Sequence, residues 1–166
     1  MGLTLVLGGI RSGKSQFAES RVALPACYVA TMRPRTGDAE LDQRIERHQS
    51  RRGDGWTLVE AANGIVKAVG DAPNVLLDGF GLVVAAALES PDPALAVFTE
   101  VARIIEDSRH REWIIVSEEV GFSLVAADRL SRQFQDVLGE ANQRFAAASS
   151  AVYLVVVGRP LLLTPA

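Results

Sequence analysis

Gly8-Gly9-Ile10-Arg11-Ser12-Gly13-Lys14-Ser15 has the G-x-x-x-x-G-K-[ST] spacing that cradles a polyphosphate. Glycines let successive backbone N–H groups turn inward. Lys14 then reaches the outer phosphates, and Ser15 offers a hydroxyl to Mg²⁺. A nucleoside triphosphate is the natural ligand of such a loop. Val75-Leu76-Leu77-Asp78 is an apolar run ending in a carboxylate. Beside a phosphate loop such an acid holds the metal, directly or through water; alternatively Asp78 caps the helix after it. Glu118 and Glu119 close a second run, Ile114-Ile115-Val116. One of them orients a nucleophile or contacts the metal, or both are solvated loop acids.

His48 is the remaining group with chemical potential. On a helix over 39–51, Leu41, Ile45, His48 and Arg52 share one stripe, with Arg44 a turn before His48 and Arg51 a turn after. Neighbouring cations favour the neutral imidazole, which is a nucleophile for phosphorus. Arginines can also grip phosphate oxygens in pairs of hydrogen bonds. The bland alternative is a satisfied inward histidine beside a solvated arginine face.

These residues must be positioned by elements that alternate in kind. Leu3–Leu7, Cys27–Thr31, Trp56–Glu60, Asn74–Leu77, Trp113–Ser117 and Val152–Val157 read as strands, mostly continuous apolar runs covered on both faces. Helices are expected at Lys14–Val22, at 39–51 after a possible cap at Asp38, at Ile65–Val69, Leu82–Leu88, Ala94–Ser108 and Asp128–Ala148. In the last, Leu130, Phe134, Val137, Ala141 and Phe145 form one apolar face. Alternation of this kind predicts an α/β fold, a mainly parallel sheet flanked by helices with right-handed crossovers. Ligands of such sheets sit beyond the C-terminal strand ends, where the phosphate loop, Thr31, Asp78 and Glu118 all fall.

The 166 residues suit a single domain, 1–166, and a content of 48% hydrophobic and 22% charged residues suits a soluble globular chain with a good core. A net charge of -3 argues against a general nucleic-acid or membrane-surface binder. One cysteine, Cys27, excludes an internal disulfide and reads as a small core residue. No export signal is visible, and the longest apolar stretch, Gly81 to Leu88, cannot span a bilayer, so a cytoplasmic location with no membrane span is expected.

The chain resembles the bifunctional adenosylcobinamide kinase / adenosylcobinamide-phosphate guanylyltransferases of cobalamin biosynthesis. The matching stretches are Gly8–Ser15, Tyr28-Val29-Ala30-Thr31, Arg44-Ile45-Glu46-Arg47-His48 onward through Arg52 to Trp56 and Glu60, Leu77-Asp78, Val116–Gly121, Asn142-Gln143-Arg144 and Leu154–Leu161. They run in family order over nearly the whole chain. The resemblance implies a RecA-like phosphate-loop NTPase fold and a homo-oligomer, commonly a trimer. It implies ATP, GTP and Mg²⁺ as cofactors, with adenosylcobinamide and its phosphate as partners. The expected path is phosphorylation of adenosylcobinamide, then transfer of GMP from GTP through guanylylated His48. By position it implies nucleotide contacts at Gly8, Gly9, Ile10, Arg11, Ser12, Gly13, Lys14, Ser15, Thr31, Met32, Arg33, Gln49, Ser50, Arg51, Arg52, Glu60 and Asp78. His48 and Lys14 would be catalytic, and Ser15 and Asp78 would hold Mg²⁺.

Three places in the chain depart from the family pattern. After Asp78 the family usually has Cys-Leu-Thr, and this chain has Gly79-Phe80-Gly81; after Arg52 it has Gly53 in place of proline; and Glu118 replaces a common asparagine. Two rival readings remain open. A phosphate-loop small-molecule kinase would use Lys14, Ser15 and Asp78 without covalent work for His48. A GTP-operated binding switch would use Asp78-Gly79-Phe80-Gly81 as a D-x-x-G motif, although the chain has no Asn-Lys-x-Asp for guanine.

Overall fold

The computed structural model describes residues 1–31, 54–60, 64–122 and 124–165. The apolar runs become parallel strands: β1 (Gly2–Gly8), β2 (Ala26–Ala30), β3 (Trp56–Glu60), β4 (Asn74–Asp78), β5 (Glu112–Glu118) and β6 (Ala151–Val156). A further strand, β7 (Arg159–Leu163), pairs antiparallel with β6 and is absent from the sequence-based expectation. The seven strands form one sheet in the order β3-β2-β4-β5-β1-β6-β7. This is the mainly parallel, helix-flanked α/β architecture that the alternation of elements predicts. The strand carrying Asp78 is separated from the phosphate-loop strand by β5.

Period-two alternation divides each central strand between two apolar layers. One layer packs Leu3, Leu5, Val29, Leu77 and Ile115 against helices α2 (Ile65–Ala68), α3 (Phe80–Ala87), α4 (Pro93–Asp107) and α5 (Arg129–Ala148). Its centre is the edge-to-face pair Phe80–Phe145, with ring centroids 4.9 Å apart. The other layer packs Val6, Tyr28, Leu76, Ile114, Val116 and Val155 against Ala18 and Phe17 of α1 (Lys14–Arg21). Cys27 is buried in the first layer, where loss of water pushes its thiol pKa up, partly countered by Arg111.

Three expectations are corrected. Helix α3 starts at Phe80, not Leu82, because Gly79 turns the chain at φ 88° directly after β4. Leu130 lies on the expected apolar face of α5 but is exposed in its first turn, because the buried face of that helix begins only at Val137. β6 ends at Val156, because Val157 (φ 46°) and Gly158 (φ 76°) form a two-residue hairpin turn. The expected helix over 39–51 lies outside the described residues. Among the described residues no helix is long and apolar enough to cross a membrane.

The long helices begin on carboxylates. Asp92 accepts from Leu95 N at 3.0 Å, with Pro93 in the first turn, and Asp128 accepts from Ser131 N at 2.8 Å. The hydrogen bonds from Ser131 hold the Asp128 carboxyl below the usual carboxylate range. Its ionic cap is therefore complete above the unfolded-state pKa and is lost as pH falls through the lowered folded-state value. Asp128→Asn retains a capping side chain without a titrating group. Melting temperatures followed from neutral to acid pH should show the wild type losing ground to Asp128→Asn as pH drops; parallel curves would remove the cap from the acid response.

Candidate active site

The phosphate loop leaves β1 at Gly8 and enters α1 at Lys14, so the C-terminal end of a central strand meets a helix N-terminus. Two glycines are fixed by geometry. A Cβ at Gly8 would lie 2.5 Å from Ser12 Oγ and 2.7 Å from Val155 O. Gly13 has φ 93° and packs against Gly158, whose Cα would lie 3.2 Å from an added Cβ. Gly158 N donates to Ser12 O at 2.7 Å, so the unforeseen β6–β7 hairpin buttresses the loop from behind. Lys14 folds back over the loop. Its Nζ donates to Gly9 O at 3.3 Å and lies 3.7 Å from Glu118 Oε1, with its side chain only 12% exposed.

Asp78 ends β4, two strands from β1, and meets the loop across the sheet edge. Ser15 Oγ donates to Asp78 Oδ1 at 2.9 Å, and Tyr28 OH donates to Oδ2 at 2.7 Å. Thr31 Oγ1 donates to Asp78 O at 2.7 Å and lies 3.1 Å from Gly79 O, pinning the strand-to-helix turn. Asp78 does not cap α3: the side chain bonded to an N–H at that helix's start is Glu118, which accepts from Gly81 N at 3.0 Å. Of the paired acids, Glu118 faces the loop. Glu119 accepts instead from Gly121 N at 2.7 Å and Phe122 N at 3.1 Å, closing its own turn.

A hydroxyl and a carboxylate 2.9 Å apart beside the phosphate lysine form a hard-oxygen pair of the kind that suits Mg²⁺. Gly8–Ser15, Thr31 and Asp78 thus share one edge. Glu60 ends β3, where Ala30 pairs with both Glu60 and Asp78, putting the two acids about 10 Å apart by ordinary strand spacing. Met32, Arg33, His48, Gln49, Ser50, Arg51 and Arg52 lie outside the described residues. Sequence reasoning gave no role to Tyr28 or Gly158. The signal for Tyr28 is a phenol in a strand covered on both faces, whose hydroxyl needs a partner.

A family model described as cobinamide kinase / cobinamide phosphate guanyltransferase matches residues 4–163. The bifunctional adenosylcobalamin biosynthesis protein CobU of Escherichia coli K12 is 32% identical, covering 94% of this chain and 96% of that protein. The corresponding CobP of Pseudomonas aeruginosa is 33% identical, covering 96% and 95%. Among solved structures, a KaiC-like protein, PH0186 of Pyrococcus horikoshii OT3, aligns with a TM-score of 0.49 and 14% identity over 92% of this chain and 70% of that one.

Proposed function

The chain belongs to the cobinamide kinase / cobinamide phosphate guanyltransferase family, and from that premise we propose that it phosphorylates adenosylcobinamide and then transfers GMP to the product. The observation that carries the reading is the loop-to-carboxylate edge: Lys14 near-buried over the loop and Ser15 bonded to Asp78 at 2.9 Å. Full-length similarity to bifunctional relatives supports both half-reactions on this one chain.

In the kinase half, a nucleoside triphosphate lies on Gly8–Ser15 with its outer phosphates toward Lys14. Ser15 and Asp78 would hold Mg²⁺, which when bound neutralises β- and γ-phosphate oxygens. Tyr28 keeps the Asp78 carboxylate aimed at Ser15. Thr31 holds the turn from which Asp78 projects. The aminopropanol hydroxyl of the corrinoid then attacks the γ-phosphorus, and the nucleoside diphosphate leaves. In the transferase half, His48 attacks the α-phosphorus of GTP, pyrophosphate leaves, and the corrinoid phosphate takes GMP from the imidazole. The phosphoramidate splits one displacement into two easier ones. Thr31, Met32, Arg33, Gln49, Ser50, Arg51, Arg52 and Glu60 are proposed as further nucleotide contacts. A cytoplasmic homo-oligomer, a trimer, is proposed on the same family grounds.

The test supplies ATP or GTP, Mg²⁺ and adenosylcobinamide, and follows the corrinoid by mass spectrometry. Adenosylcobinamide phosphate and then adenosylcobinamide-GDP are expected. Phosphate product alone, from a chain given GTP, would reduce the protein to a simple kinase. Nucleotide binding with neither product would overturn the reading.

A further inference from the structure

Glu118 ends β5, the strand between those of Asp78 and the phosphate loop, and stands in register with Gly8. Its backbone is anchored from α5: Asn142 Nδ2 donates to Glu118 O at 2.9 Å, and Ser117 Oγ donates to Asn142 Oδ1 at 2.7 Å. Both carboxylate oxygens are directed. Oε2 accepts from Gly81 N at 3.0 Å, and Oε1 lies 3.7 Å from Lys14 Nζ. The seat is shaped for this side chain, because a Cβ at residue 81 would fall 2.3 Å from Oε2 and 3.1 Å from Cδ. Two positions that depart from the family pattern, 81 and 118, are therefore one contact.

The two acids nearest it in the chain and the sheet, Glu119 and Asp78, are engaged elsewhere. Asp78 takes the Ser15 and Tyr28 hydroxyls, and Glu119 takes two backbone amides of its own turn. Among the described residues, Glu118 Oε1 faces only the Lys14 ammonium, which a triphosphate draws away. The geometry points to Glu118 as the proton acceptor for the attacking hydroxyl in the kinase step, an inference that rests on the kinase reading above. The hydroxyl oxygen bonds to the γ-phosphorus while the bond to the β,γ-bridging oxygen breaks, its electron pair leaving with the nucleoside diphosphate. The hydroxyl proton passes to Glu118 Oε1 and from there to water. Arrival of nucleotide moves Lys14 from Gly9 O and Glu118 onto the phosphates, leaving Oε1 beside the reacting group as a base.

The test compares wild type, Glu118→Gln and Gly81→Ala in two measurements: equilibrium binding of Mg·ATP and single-turnover phosphorylation of adenosylcobinamide. Glu118→Gln should lower the rate about 100-fold. Its nucleotide affinity should hold or tighten, because the competitor for Lys14 has lost its charge. Gly81→Ala keeps the carboxylate but evicts it from its seat, and should lower the rate about tenfold or more. Either folded variant turning over within about threefold of wild type overturns the proposal. A matching loss of affinity and rate in Glu118→Gln also overturns it, by making Glu118 a structural support. A wild type that binds Mg·ATP and phosphorylates no corrinoid overturns the functional reading itself, which the other outcomes leave standing.

Discussion

Lys14→Ala is expected to lower kcat/KM for corrinoid phosphorylation by roughly 30- to 1,000-fold, about 2–4 kcal/mol of lost transition-state stabilisation. The Lys14 side chain is 12% exposed and lies over the loop, so its charge acts in a poorly hydrated setting where Coulomb interactions are strong. Charge on the transferred phosphoryl group spreads over its oxygens in the transition state, so the ammonium gains more there than in the ground state. Part of the loss should appear as weaker nucleotide binding and part as lower kcat. The fold should tolerate the change, since the contacts given up are one exposed hydrogen bond to Gly9 O and one 3.7 Å ion pair. Lys14→Arg should rescue poorly, because a planar guanidinium is longer and wider than the ammonium. Steady-state kinetics with equilibrium nucleotide binding decides the matter. Turnover within about threefold of wild type would contradict the assignment of the loop.

The parts of the molecule that sequence made legible are those where local pattern and tertiary demand agree. Leu3, Leu5, Val6 and Val75–Leu77 are buried, on both faces of the sheet, so a nearly continuous apolar run is what the sheet needs there. Loop spacing identifies Gly8–Ser15 because Gly8 and Gly13 are required by sterics and backbone conformation, and its lysine and serine by phosphate chemistry. β7 was not legible. Its turn, Val157-Gly158, puts a β-branched residue at φ 46°, and Pro160 within the strand argues against pairing. The strand is an exposed edge, so no burial pattern announces it. Leu130 misled for the opposite reason: the apolar periodicity runs through the first turn of α5, while its buried side chains begin only at Val137. The contact of Glu118 with Gly81 spans 37 positions and combines a missing side chain with an added charge. Neither residue predicts the other by type: Glu118 is legible as an acid closing an apolar run, whereas Gly81 stands out only as a departure from the family pattern.

His48→Ala should abolish transfer of label from α-phosphate-labelled GTP to the protein, and the corrinoid product should stop at adenosylcobinamide phosphate. An acid-labile, base-stable adduct is the behaviour of a phosphorus–nitrogen bond, so the label belongs on an imidazole. The chain has two histidines, His48 and His110. His110 precedes β5, whose opposite end carries Glu118 beside the phosphate lysine. Seven residues of extended chain set those ends about 20 Å apart, beyond the reach of a side chain to a phosphate held on the loop. His110 therefore serves as the internal control. His110→Ala should label as wild type does, since the label is expected on His48. Label surviving in His48→Ala, or lost in His110→Ala, would dismiss His48 as the nucleophile and leave the loop, Ser15 and Asp78 with kinase chemistry alone.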